Sequence, residues 1–449
     1  MSSLPAPIIA CLSIFLPLFS QPSFLKLLLL FQGHILCNGR RTIADILKRL
    51  GLRNIKNYSK YHDFFKKSKW SALKGAEILF LKLVTLVPGE IKVSIDSTVE
   101  RRKGPKIKGL GIQRDAVRST KSKKVLVPGL NWLVCAIHIK FPWSNRAWAL
   151  PFLTILMPPE YPLSSSKNIN DLKKSKKYKT MIEWTCQVAM LLRRWIGPSK
   201  KITIIADSAF ATYLLANTCI DLGITLLSRM RLDARNFEFP DPKGRKKLVG
   251  KRLTTFKKML EDPHLSWHTI ETIWYGGIKK KIETLEGSCL WYGYGIRPVP
   301  IKWVLTRDSN NKETATVIFS TDINHTLLEI IEGFIARWQI EVTFEEARRH
   351  LGMETQRQWS DNSIDRITPS ILASYSIINL MALECQGSNE EEIPIQTSAW
   401  YKKTHVTFSD ILAYVRGKIL HEKYFLRFDK NTELRYVELE EILKQMIAA

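Results

Sequence analysis

The sequence predicts an α/β protein in which a central mixed sheet is flanked by helices, with a helical region before it, a β-rich insertion within it and a helical region after it. Three observations predict this. Strand-type apolar runs recur between residues 91 and 210. They alternate with stretches whose apolar residues return every three or four positions. The stretch 231–300 then reverts to short alternating runs split by glycines.

Residues 1–90 read as helical. The apolar run from Ile8 to Phe19 is broken by Pro17 and followed by Pro22, and the first 25 residues hold no Lys or Arg. It therefore lacks the basic start of a signal peptide and the roughly 20 unbroken apolar residues of a membrane span, so a core helix is expected. GRRTIADILKRLG (39–51) places Ile43, Ile46, Leu47 and Leu50 at helical spacing behind a Thr42 cap, flanked by Arg40, Arg41, Lys48, Arg49 and Arg53. Either a small DNA-binding module or a plain packing helix has this pattern.

Residues 91–230 form the first part of the core. IKVSID (91–96) alternates and ends on Asp96, and VLVPGLNWLVCAIHI (125–139) and AWALPFLTILM (147–157) are further strands. A Lys/Ser-rich connector (164–179) leads to a helix through Met181 to Trp195. KITIIADSAF (201–210) is a strand that stops on Asp207, followed by a helix from Tyr213 to Leu222 closed by Gly223. Residues 231–300 make the insertion, with basic turns. Residues 301–355 return to the core with two strands and one long helix, opened by a Thr326/Glu329 capping box and followed by Gly352. Residues 356–449 are helical: an apolar helix at 371–384, an acidic loop around Glu390 to Glu392 and two amphipathic helices.

Charge narrows the partners. The chain has 68 basic and 42 acidic residues, a formal net charge of +26, which points first to nucleic acid, although a ribosomal or membrane-surface protein shares that bias. Ten basic residues against one acid, Asp115, fall within 101–124. Seven scattered cysteines without a CxxC read as buried thiols of a reducing cytosol.

Asp96 and Asp207 stand where apolar strands end, the place where an open α/β sheet presents residues to a crevice. On a straight helix Glu341 lies within about 40° of Arg337 and Arg348, beside an apolar face of Leu327, Ile331, Ile335, Trp338 and Val342. Three carboxylates of this kind suit hard divalent cations. A simple pair between Glu341 and Arg337 is the plainer reading, and Glu345 is the competing glutamate.

Three segments, IDSTVERRKGPKIKGLGIQRDAVRS (95–119), ADSAFA (206–211) and RWQIEVTFEEARRHLGMETQRQWSD (337–361), carry a resemblance. In order and spacing the chain resembles a DDE-type insertion-sequence transposase with an RNase H-like core, of the group with a β-rich insertion before its Glu. That group's signature, Tyr, two residues, Arg, three residues, Glu, six residues, Lys, falls on Phe334, Arg337, Glu341 and Arg348. Two positions depart from it: Phe334 lacks the hydroxyl, and Arg348 keeps the charge with a different geometry. The resemblance implies that Asp96, Asp207 and Glu341 hold two Mg²⁺ or Mn²⁺ ions. It further implies that DNA is cut at a mobile element's ends and the 3′-OH ends are joined to target DNA. The implied partners are double-stranded DNA, as inverted repeats and target, and a second copy on that DNA, with no membrane, in the nucleoid-associated cytoplasm. A nuclease of this fold that does not join, or an inactive DNA-binding descendant, are the rival expectations.

Residues expected at the DNA are Arg101, Arg102, Lys103, Lys106, Lys108, Arg114 and Arg118 of the basic loop, Arg229 and Arg231 following the strand ITLLS, and Arg337 and Arg348 on the Glu-bearing helix. Arg357 and Trp359 follow that helix. The loop could equally be a solvated hairpin, and Trp359 could equally be buried rather than stacked on a base.

Overall fold

The computed structural model describes residues 4–107, 109–115, 118–120, 122–159, 179–243, 247–274, 277–308, 315–387, 392–400 and 402–424. Lys108, most of the 164–179 connector, Glu390 and the last amphipathic helix lie outside the described residues. Helices α1 (Ala6–Ser13), α2 (Gln21–Leu36), α3 (Ile43–Arg49), α4 (Ser59–Lys66) and α5 (Ala72–Val84) come first. Ile8, Cys11 and Leu12 of α1 are buried, as a core helix requires. Thr42 caps α3 by accepting the Asp45 N–H, and Ile43, Ile46 and Leu47 face inward. Arg41 is buried with them and donates to the backbone oxygens of His34 and Gly39, while the exposed Arg49 donates to that of Leu36.

One mixed sheet holds the middle of the chain. Strands β1 (Ile91–Arg101), β2 (Gly111–Arg114), β3 (Leu126–Lys140) and β4 (Ala147–Met157) are followed by α6 (Met181–Ile196), β5 (Ile202–Ala206), α7 (Tyr213–Asp221) and β6 (Thr225–Met230). In space the order runs β4-β3-β1-β5-β6, antiparallel between the first three and parallel between the last three. This is the RNase H-like arrangement. β3 is buried almost throughout because helices cover both faces of the sheet. Pro151 lies in β4, which pairs only with β3, and stands where the register shifts, so its missing N–H breaks no regular ladder.

The chain after β6 extends this sheet. β7 (Asn236–Phe237), α8 (Phe256–Glu261), β8 (His268–Ile273), β9 (Lys279–Trp291), β10 (Val299–Arg307) and β11 (Thr316–Ser320) follow, and β11 pairs antiparallel with β6, β10 with β11, and β9 with β10. Strands from 231–300 are thus hydrogen-bonded into the far edge of the central sheet.

Helices α9 (Leu327–Ala336), α10 (Trp338–His350), α11 (Asp361–Gln386) and α12 (Phe408–Tyr424) complete the described chain. The expected Thr326/Glu329 capping box opens α9. The single long helix is corrected to two, meeting at Arg337, where the Arg337 N–H bonds to Phe334 and the Ile340 N–H to Arg337, three residues back in each case. Those tighter turns rotate the second half. Trp338, placed by a straight wheel on the apolar face, is exposed, and Ile340, Thr343, Phe344 and Ala347 are buried instead. α11 is long and apolar enough to cross a membrane by length and composition, yet most of that stretch is buried inside the protein. Six cysteines are buried and Cys385 is half-buried, all as free thiols.

Candidate active site

The register of the sheet brings the two aspartates together. Ile95 pairs with Ala206 across the parallel β1–β5 ladder, so the next residue on each strand is Asp96 and Asp207, on the same face and roughly 5 Å apart along the backbone. The sequence places the end of the first strand at Asp96, and the structure corrects this: β1 continues to Arg101, paired from Asp96 onward with β3 alone. Asp96 is the first residue beyond the reach of β5. The crevice opens there because one neighbour stops, not because the strand does.

Helix α10 brings the third carboxylate. Thr343 is buried and donates to the Ala149 carbonyl of β4 at 2.8 Å, fixing the helix against the sheet two residues after Glu341. Arg337 joins the pieces: its guanidinium donates to Asp96 Oδ2 at 3.1 Å and to Glu341 Oε1 at 2.7 Å. The simple Glu341–Arg337 pair therefore exists, but as half of a bridge between strand and helix. Glu345 points away, exposed and paired with Arg349 at 2.6 Å.

Electrostatics tie the group together. Burial pushes Asp96 up to about 6, against the pull of Arg337 and of the Ser97 N–H at 2.7 Å, and Glu341 and Asp207 push it in the same direction as burial. Burial opposes the charge of Arg337, yet Asp96 and Glu341 outweigh it and hold Arg337 above its ordinary value. Among the described residues no three His, Cys, Asp or Glu side chains stand close enough to enclose an ion as placed. A guanidinium lies between Asp96 and Glu341, and its buried Nε has no hydrogen-bond partner. The donor set fits a divalent cation in type and charge: acidic oxygens from three elements, mutually repelling, two of them sharing one guanidinium.

The basic residues divide by placement. Arg229 reaches to 3.6 Å from Asp207 Oδ1 and 3.4 Å from Ser208 Oγ. Arg348 donates to Thr98 Oγ1 at 2.6 Å, two residues along β1 from Asp96 and on the same face, and to Glu354 at 3.2 Å. Lys103, Lys106, Arg114, Arg118 and Arg357 are exposed. Arg101 is shared with Glu354 at 2.8 Å, and Arg231 is paired with Asp233. Arg102 departs from the expectation: it is buried, pairs with Glu100 at 2.8 Å and donates to the Gln358 carbonyl, so it faces the interior rather than DNA. Phe334 is buried, with the Arg337 guanidinium 5.7 Å from its ring centroid. Tyr213 stacks on Trp291 and serves packing.

Sequence reasoning missed two supporting residues. Glu100 is fully buried and accepts from Arg102, from Trp132 Nε1 at 2.8 Å and from Thr368 Oγ1 at 2.8 Å, joining β1, β3 and α11. Its signal was present: in a strand Glu100 and Arg102 share a face with Asp96 and Thr98. Glu354 carries a positive φ of 73° and gathers Arg101 and Arg348; nothing in the sequence marks it.

An RNase H-like sheet with acids at the β1–β5 crevice defines a nuclease-type or transposase-type protein. Residues 15–281 match the family described as DDE superfamily endonuclease, and the chain belongs to that family. The match contains Asp96 and Asp207 and stops before Glu341. A search of curated proteins found no match.

Proposed function

We propose that the protein is a transposase that cleaves DNA at the ends of a mobile element and joins the 3′-OH ends to target DNA, with Asp96, Asp207 and Glu341 holding two Mg²⁺ or Mn²⁺ ions. The observation that carries this reading is the bridge from Asp96 through Arg337 to Glu341, beside the aligned Asp207. Such ions, when bound, lower the pKa of an attacking water or 3′-OH and neutralise the leaving oxygen.

The chain's own residues supply the rest. Thr343 holds Glu341 in place, Arg337 orients both acids, and Arg229 and Arg348 stand on either side as phosphate anchors. Exposed Lys103, Arg114, Arg118 and Arg357 extend the positive surface for the duplex, and Lys108 belongs to the same basic run. Two ends must be processed together, so the acting form is a dimer on inverted-repeat DNA, in the nucleoid-associated cytoplasm.

The test uses duplexes made from the DNA flanking the coding sequence, uncut and precut, with Mg²⁺ or Mn²⁺. End cleavage and joining by the wild type, both lost in Asp96→Ala, Asp207→Ala and Glu341→Ala with duplex binding kept, is the expected outcome. Cleavage surviving in any of the three variants, or in chelator, overturns the site. Cleavage without joining of precut ends identifies a nuclease and overturns the transposase reading.

A further inference from the structure

Trp359 follows α10 on the segment leading into α11, and it is 50% exposed. Two ammonium groups from separate parts of the chain converge on its ring: Lys66, from the end of α4, at 5.4 Å from the centroid, and Lys106, from the loop after β1, at 5.2 Å. Among the described residues neither lysine has a carboxylate within ion-pair distance. Two like charges gathered at one half-exposed indole repel each other, and an anion between them relieves that repulsion.

The platform is held rigidly. Arg102 donates to the carbonyl of Gln358, the Asn362 side chain donates to the Lys66 carbonyl at 3.3 Å, and Arg366 donates to the carbonyls of Phe65 and Trp70 at 2.8 and 2.9 Å. The indole thus stands on fixed backbone rather than on a free loop. It is also tied to the face of β1 that carries Asp96, since Asp96, Thr98 and Glu100 lie on one side of the strand and Arg102, just past its end, pairs with Glu100. Arg102 is six positions on from Asp96, roughly 20 Å of extended chain, which nucleic acid spans in about six base steps.

We infer that Trp359, with Lys66 and Lys106, is a stacking platform for an unpaired base of the bound DNA, the base taking the ring face and the two ammonium groups, which lie over that ring in the free protein, moving outward to the phosphates on either side. The inference rests on the proposed reading that DNA is the substrate. An indole face accepts any base, and flanking cations fix the strand without reading its sequence. At this distance from the acids the platform holds flanking DNA, not the nucleotide at the cut.

The test is fluorescence anisotropy with a labelled oligo-dT strand of about 20 nucleotides and a blunt duplex of the same length, in chelator and over a range of salt. Trp359→Ala should weaken oligo-dT binding roughly tenfold and leave the duplex within about twofold, and Trp359→Phe should restore most of the loss. Lys66→Gln and Lys106→Gln should each lower the salt slope on oligo-dT by about 0.7. The platform is overturned by unchanged oligo-dT affinity in Trp359→Ala, by equal loss on both DNAs, or by an unchanged salt slope in the lysine variants. Because metal is absent, these outcomes are independent of cleavage: a wild type that binds oligo-dT through Trp359 but never cuts sinks the catalytic reading and leaves the platform standing.

Discussion

Replacing Asp96 by Asn should stabilise the metal-free protein while removing its cleavage activity. Burial is the main reason that Asp96 is pushed from 3.8 to about 6, with Glu341 and Asp207 adding repulsion that Arg337 and the Ser97 N–H only partly offset. Between those two values the folded chain keeps a proton that the unfolded chain has already released. Stability from this group is therefore fully present below 3.8 and is lost as pH rises through 6. At about 1.4 kcal/mol per tenfold, the raised pKa costs about 3 kcal/mol near pH 7.5, roughly half of that near pH 5 and under about 1 kcal/mol near pH 4, where the folded chain keeps its proton. Asn keeps the shape without the charge, so it should recover these amounts. The assay is urea denaturation of wild type and Asp96→Asn in chelator at the three pH values, with the gain shrinking as the solution is acidified. No gain near pH 7.5, or one of equal size at all three, would refute the view that Asp96 is held ionised at a cost. Adding Mg²⁺ should then stabilise the wild type and not the variant.

Glu341→Gln should abolish metal-dependent cleavage, whereas Glu345→Gln, which loses only an exposed pair with Arg349, should keep it and change stability by no more than about 0.5 kcal/mol; cleavage assays and urea midpoints on both variants decide between the two glutamates. Glu100→Gln strands the buried Arg102 guanidinium and should cost about 3–5 kcal/mol, read as a lower urea midpoint without any dependence on metal. Arg337→Met leaves Asp96 and Glu341 facing each other with no counter-charge. It should destabilise the protein by about 3–5 kcal/mol in chelator, and Mn²⁺ should return part of that loss, as thermal unfolding with and without the ion would show.

Much of the central sheet was legible because its strands are covered on both faces and so read as dense apolar runs: β3, β4 and β5 fall within a few residues of where the sequence puts them. The end of β1 was not. A chain read alone shows where apolar residues stop, and Asp96 stops them, but it does not show that β3 goes on pairing after β5 has ended. The break at Arg337 was hidden for a related reason. The apolar spacing of 327–350 is continuous enough to suggest one helix, and two tighter backbone bonds are sufficient to turn Trp338 out and Ile340 in. Arg102 looked like one of ten cations in a loop because its partner Glu100 belongs to a strand that the sequence had already closed at Asp96. Once the strand is extended, the period of two places both residues on the inner face, and the assignment follows.

The opposite signs at the site make sense together. Three carboxylates in a crevice repel one another, and in a chain with an excess of 26 positive charges the nearest available counter-charge is a side chain of its own. Arg337 supplies it at 3.1 and 2.7 Å, while Arg229 and Arg348 approach from either side without entering between the acids. Arg337 is shared by Asp96 and Glu341, and Arg229 pairs with Asp207, so two guanidiniums balance two of the three negative charges. On the proposed reading, this shortfall is what favours divalent cations there: each brings two charges into a space that an arginine fills with one, and the displaced guanidinium is left free to turn toward a phosphate. The same group would then steady the acids before DNA arrives and hold the DNA afterwards, a change of partner that keeps Arg337 paired at every stage.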